Sequence, residues 1–192
     1  MLNLVLFGAP GAGKGTQTER LVEKYGFNHI STGEIIREQI RKQTELGNSM
    51  RDYIARGEFA PDSLVIEMVT DFIKNQDSDA PGNIFDGFPR TLAQAEAFDK
   101  ILDNNNMNEA LLLSIEVPHD LLRERLLSRG EKTNRSDDAS LEVINNRISI
   151  YNNVTEPVLS YYKNQDKHIS CDGVGSEDEV YARLCEQINR ML

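Results

Sequence analysis

Residues 2–16 read Leu-Asn-Leu-Val-Leu-Phe-Gly-Ala-Pro-Gly-Ala-Gly-Lys-Gly-Thr, an apolar run that breaks into glycines and a lysine. Leu2 to Phe7 has the length and composition of a buried strand, and the segment opened by Lys14 is of helical length. Between them Gly8, Gly13 and Lys14 spell G-x-x-x-x-G-K in the strand-to-helix context that a phosphate-holding loop requires. That chemistry needs these residue types. Glycines let successive backbone N–H groups turn inward around an anion, the helix N-terminus adds positive potential, and the lysine reaches the outer phosphates. Gly15 stands where Ser or Thr commonly follows the lysine, so a hydroxyl at this place must come from Thr16.

The same alternation continues along the chain. Apolar runs at 84–86 and 110–117, and weaker ones at 28–30 and 167–171, bring the strands to five, and each of the stronger runs precedes a segment of helical length. Residues 177–192 close the chain as an amphipathic helix. The fold class is therefore α/β, a five-stranded parallel sheet flanked by helices, with the whole of 1–192 as a single domain. Two stretches interrupt the rhythm. Residues 31–60 are helical throughout and open on Ser31 and Glu34, three apart as in a capping box, which makes a small insertion between strands. Residues 128–138, Ser-Arg-Gly-Glu-Lys-Thr-Asn-Arg-Ser-Asp-Asp, read as an exposed, movable loop bordered and occupied by arginines.

Composition narrows the function. The 192 residues suffice to bury about 70% of the unfolded surface. With 31 acids against 21 bases the net charge is −10, which argues against binding a nucleic-acid backbone, so any phosphate site must be a local basic cluster. The apolar runs fall short of a membrane helix, and the N-terminus has neither the charge nor the cleavage pattern of a secretion signal; a cytoplasmic protein is expected. Cys171 and Cys185 form neither a disulfide framework nor a zinc site and are expected to be buried thiols. His29, His119 and His168 are scattered and receive no role.

Asp86 ends a strand whose C-terminal end reaches the same sheet edge as the glycine loop. It reads either as a magnesium ligand acting through water or as a capping aspartate before Gly87. Arginines are the next signal: Arg37 in the insertion, Arg90 after Gly87-Phe88-Pro89, and then Arg123, Arg125, Arg129, Arg135 and Arg147 around the 128–138 segment. Arg125 and Arg129, four apart, share a helical face, and a planar guanidinium clamps phosphate oxygens in a way that lysine does not. Arg123, like Arg20 and Arg183, reads more simply as part of a solvated helix face.

Gly-Ala-Pro-Gly-Ala-Gly-Lys-Gly-Thr at 8–16, Ser-Thr-Gly-Glu-Ile-Ile-Arg at 31–37, the segment 86–98 beginning Asp-Gly-Phe-Pro-Arg-Thr, Arg-Leu-Leu-Ser-Arg-Gly at 125–130 and Arg-Ser-Asp-Asp at 135–138 occur in one order. In that order the chain resembles the adenylate kinases over nearly its whole length. The resemblance implies Mg²⁺-dependent transfer of a phosphoryl group between ATP and AMP to give two ADP. It further implies a region binding the nucleoside monophosphate at 31–60 and a short lid at 128–138 without the zinc-binding cysteines of longer lids. ATP falls to Gly11, Ala12, Gly13, Lys14, Gly15 and Thr16, with Arg129 at the lid edge and the backbone of Gly175 near the base. AMP falls to Thr32, Arg37, Glu58, Phe59, Ala60, Gly87, Phe88, Pro89, Arg90 and Gln94, with Arg135 and Arg147 reaching across on closure. Arg125 would hold phosphates between the nucleotides, and Lys14, Arg90, Arg125, Arg135 and Arg147 would carry catalysis. A monomer is the family's usual state. Thr32 and Gln94 speak for AMP against a pyrimidine monophosphate, and the absence of any Asn-Lys pair speaks against a GTP-operated switch.

Overall fold

A computed structural model describes residues 1–133, 136–138 and 140–192. Its centre is a five-stranded parallel sheet in the order β2-β3-β1-β4-β5. The strands are β1 (Leu2–Phe7), β2 (Asn28–Ser31), β3 (Gly82–Asp86), β4 (Ala110–Glu116) and β5 (His168–Asp172). Because side chains alternate along a strand, β1 feeds both layers. Val5 and Phe7 join Phe85, Leu112 and the helices on one face. Leu4 and Leu6 join Ile84, Leu113 and the helices on the other. Both cysteines are buried. No helix among the described residues is long and apolar enough to cross a membrane.

One polar feature interrupts the apolar sheet. Asn83 on β3 donates to Asn3 Oδ1 on β1 at 2.7 Å, and Asn28 on β2 donates to Asn83 Oδ1 at 3.0 Å. A shift of either neighbour would leave buried amides unpaired, so this ladder pins the register at the edge away from the glycine loop.

The interruption after β2 is a pair of helices, α2 (Thr32–Arg41) and α3 (Glu45–Ala55), followed by α4 (Asp62–Asn75), rather than one continuous helical stretch. Ser31 closes β2 and accepts from the Glu34 amide at 3.4 Å. The reciprocal half of the expected capping box is not made by Glu34, whose carboxylate takes Arg37 Nη2 at 2.7 Å instead.

The 128–138 segment is not one exposed loop. Helix α6 (His119–Lys132) runs well into it, and a 3₁₀ turn at Ser136–Asp138 buries Asp137 and Asp138. Gly130, which suggested a loop, lies inside α6, where a Cβ would stand 2.5 Å from the Asp138 carbonyl oxygen. The glycine marks a close backbone approach, not a helix break. Beyond it follow α7 (Leu141–Ile150), a π-turn at Tyr151–Thr155, α8 (Glu156–Lys163) and, after β5, α9 (Glu177–Met191).

Candidate active site

The C-terminal ends of β1 and β3 deliver the loop and Asp86 to one edge, as a parallel sheet requires. Gly8, Gly11 and Gly13 all have positive φ, at 149, 88 and 93°, and a Cβ on Gly11 would stand 2.9 Å from the Leu122 carbonyl oxygen. Helix α1 (Lys14–Tyr25) starts at Gly13 with no side-chain cap and no acid in its first turn. Its N–H groups and dipole are thus open to an anion. Lys14 Nζ donates to the carbonyl oxygens of Gly8 at 2.7 Å and Ala9 at 3.2 Å. Burial pulls the Lys14 ammonium down to about pKa 8; Asp86 opposes the shift, and Arg90, Arg147 and Arg129 add to it.

A cavity of about 830 Å³ opens between this loop, α6 and the start of α9. Gly11, Ala12, Gly13, Lys14, Gly15, Thr16, Asp86, Arg125, Arg129 and Gly175 all lie on its wall. Arg125 Nη2 donates to the Gly173 carbonyl oxygen at 3.2 Å, and both residues line this cavity. Asp86 accepts a longer hydrogen bond, 3.4 Å, from Ser31 Oγ.

A second cavity, of about 110 Å³, is lined by Thr32, Arg37, Glu58, Phe59, Ala60, Gly87, Phe88, Pro89, Arg90, Gln94 and Arg147. Its floor is fixed by aromatic packing: Phe88 meets Phe98 at 5.2 Å between ring centroids, and Phe98 meets Phe85 of β3 at 4.7 Å. Thr32 Oγ1 donates to the Gly87 carbonyl oxygen at 3.0 Å, and Arg90 Nε donates to the same oxygen at 2.8 Å. The Arg90 guanidinium lies 5.2 Å from the Phe59 ring centroid. Burial lowers its pKa to about 10, with Arg147 and Arg37 pressing the same way and Asp86 and Asp137 opposing, so it remains a cation at neutral pH.

Gln94 is not on the surface. It is 1% exposed, in the first turn of α5 (Leu92–Asn104), where its amide N–H donates to Thr91 Oγ1 at 3.1 Å. Its Oε1 accepts from the Arg90 backbone N–H at 2.7 Å, and its Nε2 donates to Asp62 Oδ1 at 2.7 Å. Arg90 itself precedes α5, so the two residues share a helix entry rather than a helix face. Thr91-Leu92-Ala93-Gln94 carries the Ser/Thr-x-x-Glu/Gln signature of a helix start, which foretells the Thr91 cap but not the carboxamide, which goes to the Arg90 N–H and Asp62 instead of the Thr91 N–H.

Lys14, Arg37, Arg90 and Arg147 line both cavities, which therefore meet at a cluster of cations. Two acids of the 3₁₀ turn sit among them. Asp137 Oδ2 is 3.1 Å from Arg147 Nη1 and 3.7 Å from Arg37 Nη1. Asp138, whose side chain is fully buried, takes Arg129 through Nε at 2.7 Å and Nη2 at 3.0 Å, and also binds Arg147. Burial depresses the Arg147 pKa, against the pull of Asp137 and Asp138. Sequence reasoning gave these acids no role, although they stand inside the Arg-Ser-Asp-Asp stretch. It also passed over Tyr151 and Thr155, which the π-turn sets on the wall of the smaller cavity. Arg135 lies outside the described residues.

An anion nest with an open helix end beside one cavity, a second cavity lined by a buried amide, and cations at their junction suit two phosphate-bearing ligands placed end to end. Comparison with known proteins agrees with that chemistry. A family profile described as adenylate kinase matches residues 6–167. Adenylate kinases of Bacteroides thetaiotaomicron and Flavobacterium psychrophilum are each 45% identical to this chain, with all of both chains covered. An adenylate kinase of Porphyromonas gingivalis is 42% identical over 99% of this chain and 97% of its own.

Proposed function

The chain belongs to the adenylate kinase family, and on that premise we propose that its larger cavity takes ATP, its smaller one AMP, and that the γ-phosphoryl group passes between them to give two ADP. The observation that carries this reading is the junction itself, where Lys14, Arg37, Arg90 and Arg147 face both cavities.

The chemical demand is electrostatic. The attacking oxygen of AMP is already ionised near neutral pH, so no general base is needed. The two nucleotides bring about six negative charges to one place, and fixed cations must hold them in line. Lys14 and the N–H groups of Gly11 to Thr16 grip the β- and γ-phosphates, and Arg90 and Arg37 grip the AMP phosphate. Arg125, Arg129 and Arg147, with Arg135, surround the transferring group. Lys14, Arg37, Arg90, Arg129 and Arg147 are each held by protein partners, so little reorganisation opposes the transition state.

Asp86 and the Thr16 hydroxyl offer hard oxygen donors beside Lys14, the donor type that magnesium accepts directly or through its water shell. Bound with ATP, magnesium would neutralise β- and γ-phosphate oxygens. Zinc has no part in this reading, because the 128–138 segment contains no cysteine.

Residues 31–60 form the monophosphate-binding region and 128–138 the short lid. Contacts between the two sides support closure over the substrates, which keeps water from the phosphoryl group. Asp137 pairs with Arg37, and next to the lid Asn146 Nδ2 of α7 donates to the Arg56 carbonyl oxygen at 2.7 Å. The enzyme works as a cytoplasmic monomer.

The test is ADP formation from MgATP with AMP, UMP and CMP in turn. AMP should be the preferred acceptor by kcat/KM. UMP or CMP matching it would replace this reading by a pyrimidine monophosphate kinase on the same fold.

A further inference from the structure

Asp62 occupies the first turn of α4 and belongs to neither phosphate-binding set. Its two carboxylate oxygens are nevertheless both committed to the helix entry that bears Gln94. Oδ1 accepts from Gln94 Nε2 at 2.7 Å, and Oδ2 accepts from Thr91 Oγ1 at 3.0 Å. Thr91 Oγ1 in turn accepts from the Gln94 backbone N–H, which closes a ring of three residues. On the other end of the carboxamide, the Arg90 backbone N–H donates to Oε1.

A primary carboxamide has nearly the same shape after half a turn about its last bond, so packing alone does not decide which end is oxygen and which is nitrogen. Its hydrogen-bond partners decide. A backbone N–H only donates, so it must face the oxygen. An ionised carboxylate only accepts, so it must face the nitrogen. Gln94 is thus held from both ends by groups that reject the turned form. Each end keeps one unused capacity, an oxygen lone pair and an N–H, for whatever enters the smaller cavity.

We propose that Asp62 is a positioning residue that fixes the sense of the Gln94 carboxamide and so makes the acceptor site select a 6-amino purine over a 6-oxo purine. Adenine offers a 6-amino donor next to an N1 acceptor, which matches the Gln94 oxygen and N–H in their fixed order. A 6-oxo purine such as hypoxanthine offers the reverse, an acceptor at position 6 and a donor at N1, and pairs with the turned carboxamide. The pin at Asp62 therefore penalises the 6-oxo base without touching it. The inference rests on Gln94 being the residue that reads the base.

The experiment measures kcat/KM for AMP and for IMP, with MgATP as donor, in wild type, Asp62→Asn and Gln94→Leu. The ratio of the two acceptors in one sample does not depend on the fraction of active enzyme, so a loss of stability leaves it readable. Asn keeps the size of Asp but has one acceptor oxygen for two donors, and its NH₂ can face the turned Gln94 oxygen. Asp62→Asn should lower the AMP-to-IMP ratio about tenfold and leave the KM for ATP unchanged. Asp62→Ala, which removes the acceptor outright, should lower it at least as far. A merely structural Asp62 would reduce both acceptors alike and leave the ratio at its wild-type value, which would overturn the inference. If Gln94→Leu collapses the ratio while both Asp62 variants preserve it, the Gln94 reading stands and the role of Asp62 falls. If Gln94→Leu leaves the ratio unchanged, Gln94 is not the reader and the inference falls with it.

Discussion

Lys14 turns back on its own loop, and its ammonium group caps the Gly8 carbonyl oxygen at 2.7 Å. Its depressed pKa, about 8 against 10.5 in the free side chain, means that the fold disfavours the charged form until an anion arrives. The penalty to stability is fully present below pH 8 and is relieved as pH rises from about 8 toward 10.5, where the unfolded chain holds more protons than the folded one. A phosphate beside Lys14 reverses the preference. ATP binding near pH 8.5 should therefore take up a proton, seen as a binding enthalpy that changes with the ionisation enthalpy of the buffer. Lys14→Met should abolish that dependence and lower turnover by about 10²-fold or more. A buffer-independent enthalpy in the wild type would show that Lys14 does not meet the phosphates.

Arg90 holds the Gly87 carbonyl oxygen through Nε, and its guanidinium carbon lies 5.2 Å from the Phe59 ring centroid. Lysine supplies the charge but not the planar fork of donors. Arg90→Lys should cost about 10²-fold in kcat/KM for AMP with an unchanged circular dichroism spectrum. Near wild-type turnover would remove Arg90 from the reaction.

Asp138 is the buried partner of both Arg129 and Arg147. Asp138→Asn leaves these cations with an amide in place of a carboxylate and should cost about 3 kcal/mol of stability in the unliganded protein, measured by urea unfolding. Saturating ATP and AMP should recover much of the loss, because phosphates supply the missing negative charge. A variant as stable as wild type without nucleotide would mean that the arginines are held by other groups.

Asp86→Asn should shift the Mg²⁺ titration of activity to about tenfold higher concentration, with no response to zinc or to a zinc-selective chelator. An unchanged magnesium titration would confine Asp86 to its bond with Ser31. Loss of activity on removing zinc would contradict the proposal that zinc has no part in the reaction.

The sheet was legible because parallel strands, buried on both faces, are written as short apolar runs, each followed by a helix; 2–7, 84–86 and 110–117 all carry that signature. The glycine loop between β1 and α1 was legible because its glycines and lysine act locally. What the sequence concealed were relationships across the chain. Gly130 looks like a loop residue until Asp138 is seen to pass over it. Asp62 and Gln94 are 32 residues apart, and no local pattern announces their bond. Asp137 and Asp138 look like solvated acids in a charged stretch, and only tertiary structure brings Arg37, Arg129 and Arg147 to them. The π-turn at Tyr151–Thr155 changes the helical phase by a hydrogen-bond pattern that apolar periodicity does not register.

The central claim is that the two cavities hold donor and acceptor together, so that the phosphoryl group crosses directly at the shared cations. The most direct test is a single-turnover experiment with ATP labelled in its γ-phosphate, Mg²⁺, and enzyme in excess, with and without AMP. The account predicts that the label appears in the β-phosphate of ADP formed from AMP, that free phosphate stays at background, and that without AMP the label remains in ATP. Label released as free phosphate at a rate indifferent to AMP would contradict it and make the protein a nucleotide hydrolase.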